Sequence, residues 1–568
     1  MKKRLIAILI SICMIVSAFP FMAVAEGNVD LTSLYKAKDT EDTWSTAEAE
    51  VIHLEDVSSS ELLITKKGDY VLSGTWTGQV VIETGVEDKV RLILNGVTIT
   101  SPEGPAIYEK QGDKLIITLA EGTENTLTDG AAVQDGDVTI GAALYAEDDL
   151  SINGTGSLIA HGTVKHGIQS KADLIIANGH ITVDSVNDGI RGRNSVLVLD
   201  GSISVTAGGD GIVTTREDKA GKGWLIIAGG NIEIQTGEGA GEVRASANSR
   251  GGGRGGWGWD NSVSSSNDDV SQKGIKAAMD LTVLGGTITL NCADDGLHGV
   301  NVTISGGMIA IRTGDDGIHG DTETVINGGT IRITQCYEGI EGTNVTINGG
   351  EIQIIASDDG INASGGNDAS GFGGRGNDRF SGSDGGMLTI HGGQIEVTAS
   401  GDGLDSNGSI SITGGVTGVW AATTKGEGAI DFNGTGTISG GLVIITSVNG
   451  VMEDTSRISG SALVSIPLST TGTSGQTITV LDGNGETLGS YTPMQSYDSL
   501  LIAGEKVQEN DTISVKAGDI SLFAGNITAD MIGAPSSGYS GFGNRNGNGG
   551  FGDWNGNGRG NGRQRGGH

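Results

Sequence analysis

The sequence predicts an all-β fold, a parallel β-helix solenoid with coils of about 21–22 residues. A short phrase, Asp-Asp-Gly-Ile-His-Gly and its variants, returns along the chain, and glycines 274, 296, 317, 339 and 360 of this phrase are spaced 22, 21, 22 and 21 residues apart. A fixed period of this length is typical of a solenoid, in which equivalent residues of successive coils become neighbours. Here the equivalent residues are carboxylates, so the fold should build an acidic ladder.

Each repeat contains three short β-type segments. In one copy they span residues 296–299, 302–304 and 308–312, and Gly306-Gly307 forms the corner between the last two. Apolar residues alternate within the segments, which is a strand period and not a helical one. A β-propeller would need blades of about 40 residues, and a leucine-rich repeat would need its own leucine pattern.

Proline is scarce in a chain rich in glycine. The 568 residues include 100 glycines and 6 prolines, and no proline lies between Pro105 and Pro467. Because proline cannot donate to a β-ladder, a long stretch without it favours continuous strand pairing. The glycines have no three-residue period, which excludes a collagen-like chain.

The first 25 residues have the features of a signal peptide. Three basic residues at 2–4 precede an apolar run at 5–21, and Ala23-Val24-Ala25 offers a cleavage site. We therefore expect a secreted protein, extracellular or associated with the cell surface.

Composition shifts divide the remainder of the chain. We expect N-terminal coils and a cap at 26–140, a central β-helix at 141–470 with loop insertions at 237–272 and 364–385, and a small β cap at 471–537. The last segment, 538–568, is rich in Gly, Asn and Arg. Such a composition cannot bury a core, so a disordered tail is predicted there.

The chain is strongly acidic. Its net charge of −34 becomes −37 when the three basic residues of the leader are removed. A surface of this kind repels nucleic acid and anionic membranes, so neither is an expected partner. A monomer is expected.

Cys292 and Cys336 lie two coils apart. At the spacing of β-strands their Cα atoms are about 9–10 Å from each other, which is too far for a disulfide.

Acidic residues precede Gly-Ile or Gly-Leu in coil after coil. Two charges about 5 Å apart repel by about 3–4 kcal/mol at an effective dielectric of 20, so the stack needs cations, protons or splaying. Hard oxygen ligands collected on a turn suit Ca²⁺. The alternative is that Asp and Asn cap turns and bind no ion. The stack comprises Asp188, Asp210, Asp294, Asp295, Asp315, Asp316, Glu338, Asp358, Asp359 and Asp402.

The residue after each Ile or Leu should point outward and form an exposed strip beside the ladder. This strip mixes basic, neutral and acidic side chains and is a candidate surface for a linear charged polysaccharide. The alternative is a solvated strand face. Its two histidines are possible transition-metal ligands, although we identified no carboxylate–histidine spacing that singles them out. The candidate carbohydrate-binding residues are Arg191, Lys276, His298, His319, Glu341 and Asn362.

Aromatic residues make up only 4% of the chain, which favours recognition through ions over ring stacking. The sequence contains no nucleophile elbow, phosphate loop, Cys-x-x-Cys set or His-Glu-x-x-His motif. We therefore assign no catalytic residue from motifs.

Three further stretches, together with the Asp-Gly-Ile coils, carry a resemblance to a known family. They are KGDYVLSG at 67–74, VRLILNGVTI at 90–99 and EGTENTLTDG at 121–130. Over about residues 60–530 the chain resembles the secreted carbohydrate-binding domain-containing proteins that bind pectic acid with calcium, whose fold is related to family 9 polysaccharide lyases. The resemblance implies a right-handed β-helix, bound Ca²⁺ and affinity for polygalacturonate-like acidic polysaccharide.

Carried onto this chain, the resemblance implies calcium ligation mainly by the paired aspartates of three coils. Asp188 and Asp210 lack the pair, and Glu338 follows a tyrosine, so these coils depart from the pattern. The coil at Gly274 follows Gln272-Lys273 and has no acid. The implied ligands are Asp294, Asp295, Asp315, Asp316, Asp358 and Asp359.

The leading functional hypothesis is non-catalytic, calcium-dependent binding of acidic polysaccharide. One alternative is a pectate-type lyase, in which Lys276 or Arg191 near the ladder would remove the C5 proton of a calcium-bound uronate. Another is a structural or adhesion protein of the cell surface, held by its Arg/Gly tail.

Overall fold

The computed structural model describes residues 30–135, 138–241, 271–364, 385–421, 428–448, 457–468 and 470–533. The predicted leader at 1–25 and tail at 538–568 lie outside these residues, as does most of the two insertions predicted at 237–272 and 364–385. The domain boundaries derived from the sequence stay predictions.

The described chain winds into a parallel β-helix, as the sequence predicts. Each coil contributes three strand segments, and each segment pairs in parallel with its counterpart one coil later. Ile275, Leu297, Ile318 and Ile340, for example, are direct partners in consecutive coils. Several strands continue round a corner, so the hydrogen-bonded network of 39 strands is continuous.

We number the three faces in the order in which each coil visits them. Sheet 1, which follows the Asp-Gly turns, contains Glu61–Ile64, Gln79–Glu83, Ile107–Gln111, Ala142–Ala146, His166–Ser170, Ile190–Gly192, Ile212–Thr214, Ile275–Lys276, Ile361–Ala363, Leu404–Ser406 and Ile430–Phe432. Sheet 2 contains Glu50–His53, Lys114–Leu119, Asp149–Gly154, Asp173–Ile176, Ser195–Val198, Trp224–Ile227, Asp280–Val283, Met387–Ile390 and Ile458–Gly460.

Sheet 3 completes each coil. Its strands are Glu124–Thr128, Ser157–Gly162, His180–Ser185, Ser202–Ala207, Asn231–Thr236, Thr287–Cys292, Met308–Thr313, Thr330–Gln335, Glu351–Ala356 and Gln394–Ala399. The strands that turn a corner and belong to two faces are Gly68–Thr77, Lys89–Thr100, Leu297–Ile304, Ile318–Ile326, Ile340–Ile347, Ser409–Ala421 and Gly436–Ser447.

Short elements accompany the two ends of the solenoid. The helices are Ala37–Thr40 and the 3₁₀ turns Leu31–Ser33, Leu54–Asp56 and Ala529–Met531, and a small hairpin pairs Val133–Asp135 with Val138–Ile140. At the C-terminal end, Ser499–Gly504 pairs antiparallel with the last long strand and with Val464–Ser465. A separate four-stranded antiparallel sheet comprises Ile478–Asp482, Thr487–Tyr491, Thr512–Ala517 and Ile520–Asn526.

The N-terminal segment is fixed to sheet 2 by a buried carboxylate. Asp39, in the short helix, accepts hydrogen bonds from Lys114 Nζ at 2.6 Å and from Ser151 Oγ at 2.7 Å.

Among the described residues, no helix is both long and apolar enough to cross a bilayer.

The core is a set of apolar columns that run along the solenoid axis. The inward residue of sheet 1 is Ile or Leu in coil after coil and is fully buried at Ile275, Leu297, Ile318, Ile340 and Ile361. Stacking identical positions buries their apolar area against each other, at about 25 cal/mol per Å². Cys292 and Cys336 are buried and unbridged, as expected.

Two kinds of glycine make the coils possible. At the corner before sheet 3, Gly307 has φ +96°, a conformation that L side chains rarely adopt. At the turn before sheet 1 the constraint is close approach, because a Cβ on Gly317 would lie 2.6 Å from the carbonyl oxygen of Gly339 in the next coil. The glycine of the Asp-Gly phrase therefore lets coils stack at strand spacing.

We expect Gly317→Ala to lower the free energy of unfolding by about 2 kcal/mol, because the added methyl group forces the neighbouring coil to shift. Urea unfolding followed by circular dichroism measures this. The matched control is Gly385→Ala, where the nearest atom to a new Cβ is 3.4 Å away. Equal unfolding midpoints for the two variants would show that close approach does not require the glycine.

Candidate functional site

The turn before sheet 1 places one residue of every coil in a continuous column. This residue lies two positions before the buried Ile or Leu, and because those apolar residues are in register, the residues of the column stack as well. We call this column the ladder. Its members are Asp188, Asp210, Lys273, Asp295, Asp316, Glu338, Asp359 and Asp402.

One oxygen of each ladder aspartate caps the next coil. Asp295 Oδ1 accepts the backbone N–H of Asp316 at 3.3 Å, and Asp316 Oδ1 accepts that of Glu338 at 3.2 Å. Asp188, Asp210, Asp359 and Asp402 make the same bond to the following coil. Turn capping therefore uses one oxygen of each ladder aspartate.

In four coils the second oxygen of the ladder aspartate faces the strip residue three positions later. Asp295 Oδ2 lies 2.9 Å from His298 Nδ1, and Asp316 Oδ2 lies 3.0 Å from His319 Nδ1. Asp188 Oδ2 binds Arg191 in the same way, and Asp210 Oδ2 lies 3.9 Å from Lys276 Nζ, although Lys276 donates to Ser271. The strip thus supplies positive or protonatable groups to the ladder.

The predicted exposure of the strip is wrong for its central members. His319, Glu341 and Asn362 are 4%, 7% and 7% exposed. Their side chains leave the apolar core, but His319 and Asn362 fold onto the ladder carboxylates of Asp316 and Glu338. Glu341 is held instead by His319 and Ser364. Neighbouring coils about 4.8 Å away cover all three side chains. Arg191, Lys276 and His298 are half-buried, so they remain the accessible part of the strip.

Lys273 is the functional residue that the sequence reasoning missed. It occupies the ladder position of a coil without an acid, and its Nζ lies 3.2 Å from Asp294 Oδ1 and also binds Asp295 Oδ2. Burial alone would lower the pKa of Lys273, but Asp295 and Asp294 outweigh it and raise the pKa. The available clue was that Lys273 aligns with the acids of the repeat.

Lys273 also lowers the pKa of its neighbour, Asp295. Burial would raise the pKa of Asp295, but the Lys273 ammonium outweighs burial and holds that pKa well below its usual range. In the coil before Asp188, the ladder position is occupied by His166, whose Nδ1 lies 3.3 Å from Asp188 Oδ2. Burial, with Arg191 and Lys165, lowers the pKa of His166 to about 2, so this imidazole is neutral.

Two groups of carboxylates offer oxygen ligands alone. In the group Asp294, Asp295 and Asp315, one ligand oxygen from each residue lies within 4.8 Å of the others. A similar group joins Asp402 to two strip residues, Asp405 and Asp431. Asp431 was missed, although it continues the strip in register after Asp405.

Two further groups mix carboxylates with imidazole. They are Asp316, His319 and Glu341, and Asp295, His298 and His319. Each histidine follows its ladder aspartate by three residues, and this Asp-Gly-Ile-His or Asp-Gly-Leu-His spacing is the signal that the sequence reasoning overlooked.

The other predicted ligands lie outside such groups. Among the described residues, Asp188, Asp210, Glu338, Asp358 and Asp359 do not fall in a set of three convergent metal ligands. Glu338 instead accepts a hydrogen bond from Asn362 Nδ2 at 2.9 Å. Burial, with the charges of Glu341 and Asp316, raises the pKa of Glu338 well above its usual range.

Comparisons with known proteins identify relatives of this chain. A family profile described as carbohydrate-binding domain-containing protein matches residues 58–317 and 315–532. A protein of the same description from Acetivibrio thermocellus is 40% identical over 131 residues, which cover 22% of this chain and 46% of that protein. The chain thus spans about half the length of this curated relative.

A solved structure titled as a polysaccharide lyase-like protein from C. thermocellum, in a gadolinium derivative, is 26% identical. The match covers 50% of this chain and 96% of that chain, with a TM-score of 0.35.

We expect Lys273→Met to destabilise the fold by about 3 kcal/mol, since it leaves Asp294 and Asp295 without their buried counter-charge. Thermal melts in chelator should show the loss, and millimolar Ca²⁺ should restore part of it. The control is Lys222→Met, which breaks a more exposed pair with Asp173 and should cost about 0–1 kcal/mol. Equal losses, both unaffected by Ca²⁺, would contradict a counter-ion role for Lys273.

Proposed function

The chain belongs to the family of carbohydrate-binding domain-containing proteins, and on that premise we propose that it binds acidic polysaccharide of the polygalacturonate type through Ca²⁺. The observation that carries the proposal is the carboxylate group of Asp294, Asp295 and Asp315 at the turn beside sheet 1. Binding, without cleavage, is the proposed activity.

The donor set of this group fits calcium. Ca²⁺ takes six to eight oxygen ligands, and the three residues offer carboxylate oxygens and no nitrogen or sulfur. Three carboxylates and the Lys273 ammonium together carry a charge of −2, which a divalent ion neutralises. Asp295 would contribute least, because both of its oxygens already have partners in Lys273, His298 and a backbone N–H. Asp294 contacts Lys273 through Oδ1 alone.

An acidic ligand follows from the charge of the protein. A chain with net charge −34 repels a polyanion unless a cation bridges them. In this proposal, uronate carboxylates of the polysaccharide complete the coordination of the calcium ion. We propose that Arg191 and Lys276, both half-buried on the strip, contact further carboxylates of the same polysaccharide chain.

The lyase alternative is less well supported. A lyase needs a neutral base beside the calcium-bound uronate. Asp294 and Asp295 raise the pKa of Lys273, although burial opposes them, and the guanidinium of Arg191 is always charged and binds Asp188. Lys276 remains as a candidate base, so the binding experiment below includes an assay for cleavage.

We propose that this activity lies outside the cell, because residues 1–25 have the features of a signal peptide. We propose that a secreted monomer carries the site, with the ladder as its polysaccharide-facing edge.

Calcium should stabilise the protein, because the ladder carboxylates repel one another when no ion is bound. A ligand that binds the folded state alone adds about 2.7 kcal/mol at a hundredfold excess over its Kd. Thermal melts with millimolar Ca²⁺ should therefore lie several degrees above melts with chelator. Superimposable melts would argue against a calcium site.

The double variant Asp294→Asn/Asp315→Asn should weaken retention on polygalacturonate at least tenfold in millimolar Ca²⁺, as measured by affinity electrophoresis. Asparagine keeps the size of each side chain but removes the two charges most available to the ion. The wild-type protein should lose retention in chelator and bind neutral glucans poorly.

The matched control is Asp184→Asn, which changes an exposed carboxylate on sheet 3 and should bind as wild type does. Retention of the double variant at wild-type strength would refute this placement of the site. Release of 4,5-unsaturated product by the wild-type protein, abolished in Lys276→Ala, would establish the lyase alternative.

A further inference from the structure

The two histidines of the strip lie on adjacent coils and face each other. His298 and His319 are direct partners in the parallel pairing, with ring centroids 4.9 Å apart and planes inclined by 31°. Each presents Nδ1 to its own ladder aspartate. Repetition of the Asp-x-x-His unit therefore concentrates imidazole and carboxylate groups at one place.

Three ligand atoms converge around His319. Its Nδ1 lies 3.0 Å from Asp316 Oδ2 and 2.9 Å from Glu341 Oε2. All three side chains belong to residues that are more than nine-tenths buried. A single N–H on Nδ1 cannot point at both oxygens with good geometry, and two buried carboxylates this close need a cation or a proton to relieve their repulsion.

We infer that Asp316, His319 and Glu341 form a binding site for a divalent transition metal ion of the Zn²⁺ and Co²⁺ class, separate from the calcium group. Imidazole and carboxylate are ligands for such ions, whereas Ca²⁺ is bound by oxygen. Bonds of about 2.0–2.1 Å place neighbouring ligand atoms about 2.9–3.4 Å apart, which matches the spacing around His319.

The surroundings of His319 have the features of a metal site's outer layer. Asp321 Oδ1 lies 3.5 Å from His319 Nε2, on the side opposite the convergent ligands. A carboxylate at this position orients the ring and keeps Nδ1 free to bind a metal ion. Ser364 Oγ donates to Glu341 Oε1 at 2.8 Å, which leaves Glu341 Oε2 directed at the site.

A buried amide oxygen provides an independent observation beside the site. Asn362 is in register with Glu341 one coil further along, and its Oδ1 is buried without a hydrogen-bond partner. Because buried polar atoms are nearly always satisfied, this oxygen needs an explanation. A bound metal ion, or water attached to it, would supply the missing partner.

The test is a Co²⁺ titration of the full-length protein after removal of metals with chelator. We expect one Co²⁺ to bind with visible d–d absorption that indicates a nitrogen ligand, and Zn²⁺ to abolish that absorption. His319→Gln and Glu341→Gln should each weaken binding at least tenfold. Far-ultraviolet circular dichroism of each variant checks that it is folded.

Two controls separate this site from the calcium group. His180→Gln changes an exposed histidine on sheet 3 and should leave Co²⁺ binding intact. Asp294→Asn/Asp315→Asn should also retain it, even if calcium-dependent retention on polygalacturonate is lost. Tenfold excess Ca²⁺ should not displace Co²⁺.

Absence of Co²⁺ binding to the wild-type protein at millimolar Co²⁺ would overturn the inference and leave a proton as the charge held by His319. Equal binding by the wild-type protein and His319→Gln would overturn it too. Either result leaves the calcium proposal intact, since that proposal depends on polygalacturonate retention.

Discussion

Parallel stacking in register is the constraint on which the site depends. It places each side chain against its equivalents in the neighbouring coils. Identical apolar residues therefore stabilise the fold by packing together, whereas identical charges destabilise it by repulsion. The same pairing that buries Ile318 against Ile340 brings Asp316 beside Glu338. The backbone pairing therefore creates a column of negative charge, and the side chains around the ladder determine how far that charge is neutralised.

The surroundings of the ladder residues differ from coil to coil. Arg191 forms an ion pair with Asp188, and Lys273 forms ion pairs with Asp294 and Asp295. In the central coils, imidazoles replace these cations. Further on, Asp402 meets Asp405 and Asp431, a concentration of carboxylates. One repeat thus produces several chemically distinct environments through substitutions at two positions per coil.

The sequence was sufficient to predict the coil but not the partners of its polar groups. The glycine period and short alternating segments specify strand pairing directly, because register follows from the apolar residue of each repeat. The prediction that the strip is exposed was wrong for its central members. Alternation along a strand shows which side chains leave the core, but it does not show whether they then fold onto the next coil. Lys273 was not predicted to belong to the ladder because it is not acidic. Its alignment with Asp295 in the repeat nevertheless indicated a positive charge in the column.

The grouping of ligands was harder to predict, for a physical reason. Asp315 and Asp316 are adjacent in sequence, yet Asp315 joins Asp294 and Asp295 while Asp316 joins His319 and Glu341. Successive residues of a turn point in different directions, so a paired Asp-Asp motif contributes to two sites. Only the three-dimensional arrangement separates an all-oxygen group from one that contains imidazole.

The ammonium of Lys273 has a consequence for how the chain reaches its folded form. A solenoid assembles by adding coil to coil, and each added coil must accept the charge of the one before it. A covalently attached cation is present at the moment when Asp294 and Asp295 come together, whatever the salt or metal content of the surroundings. We therefore expect this coil to fold without a bound metal ion, so that an ion can bind afterwards to a site that is already formed.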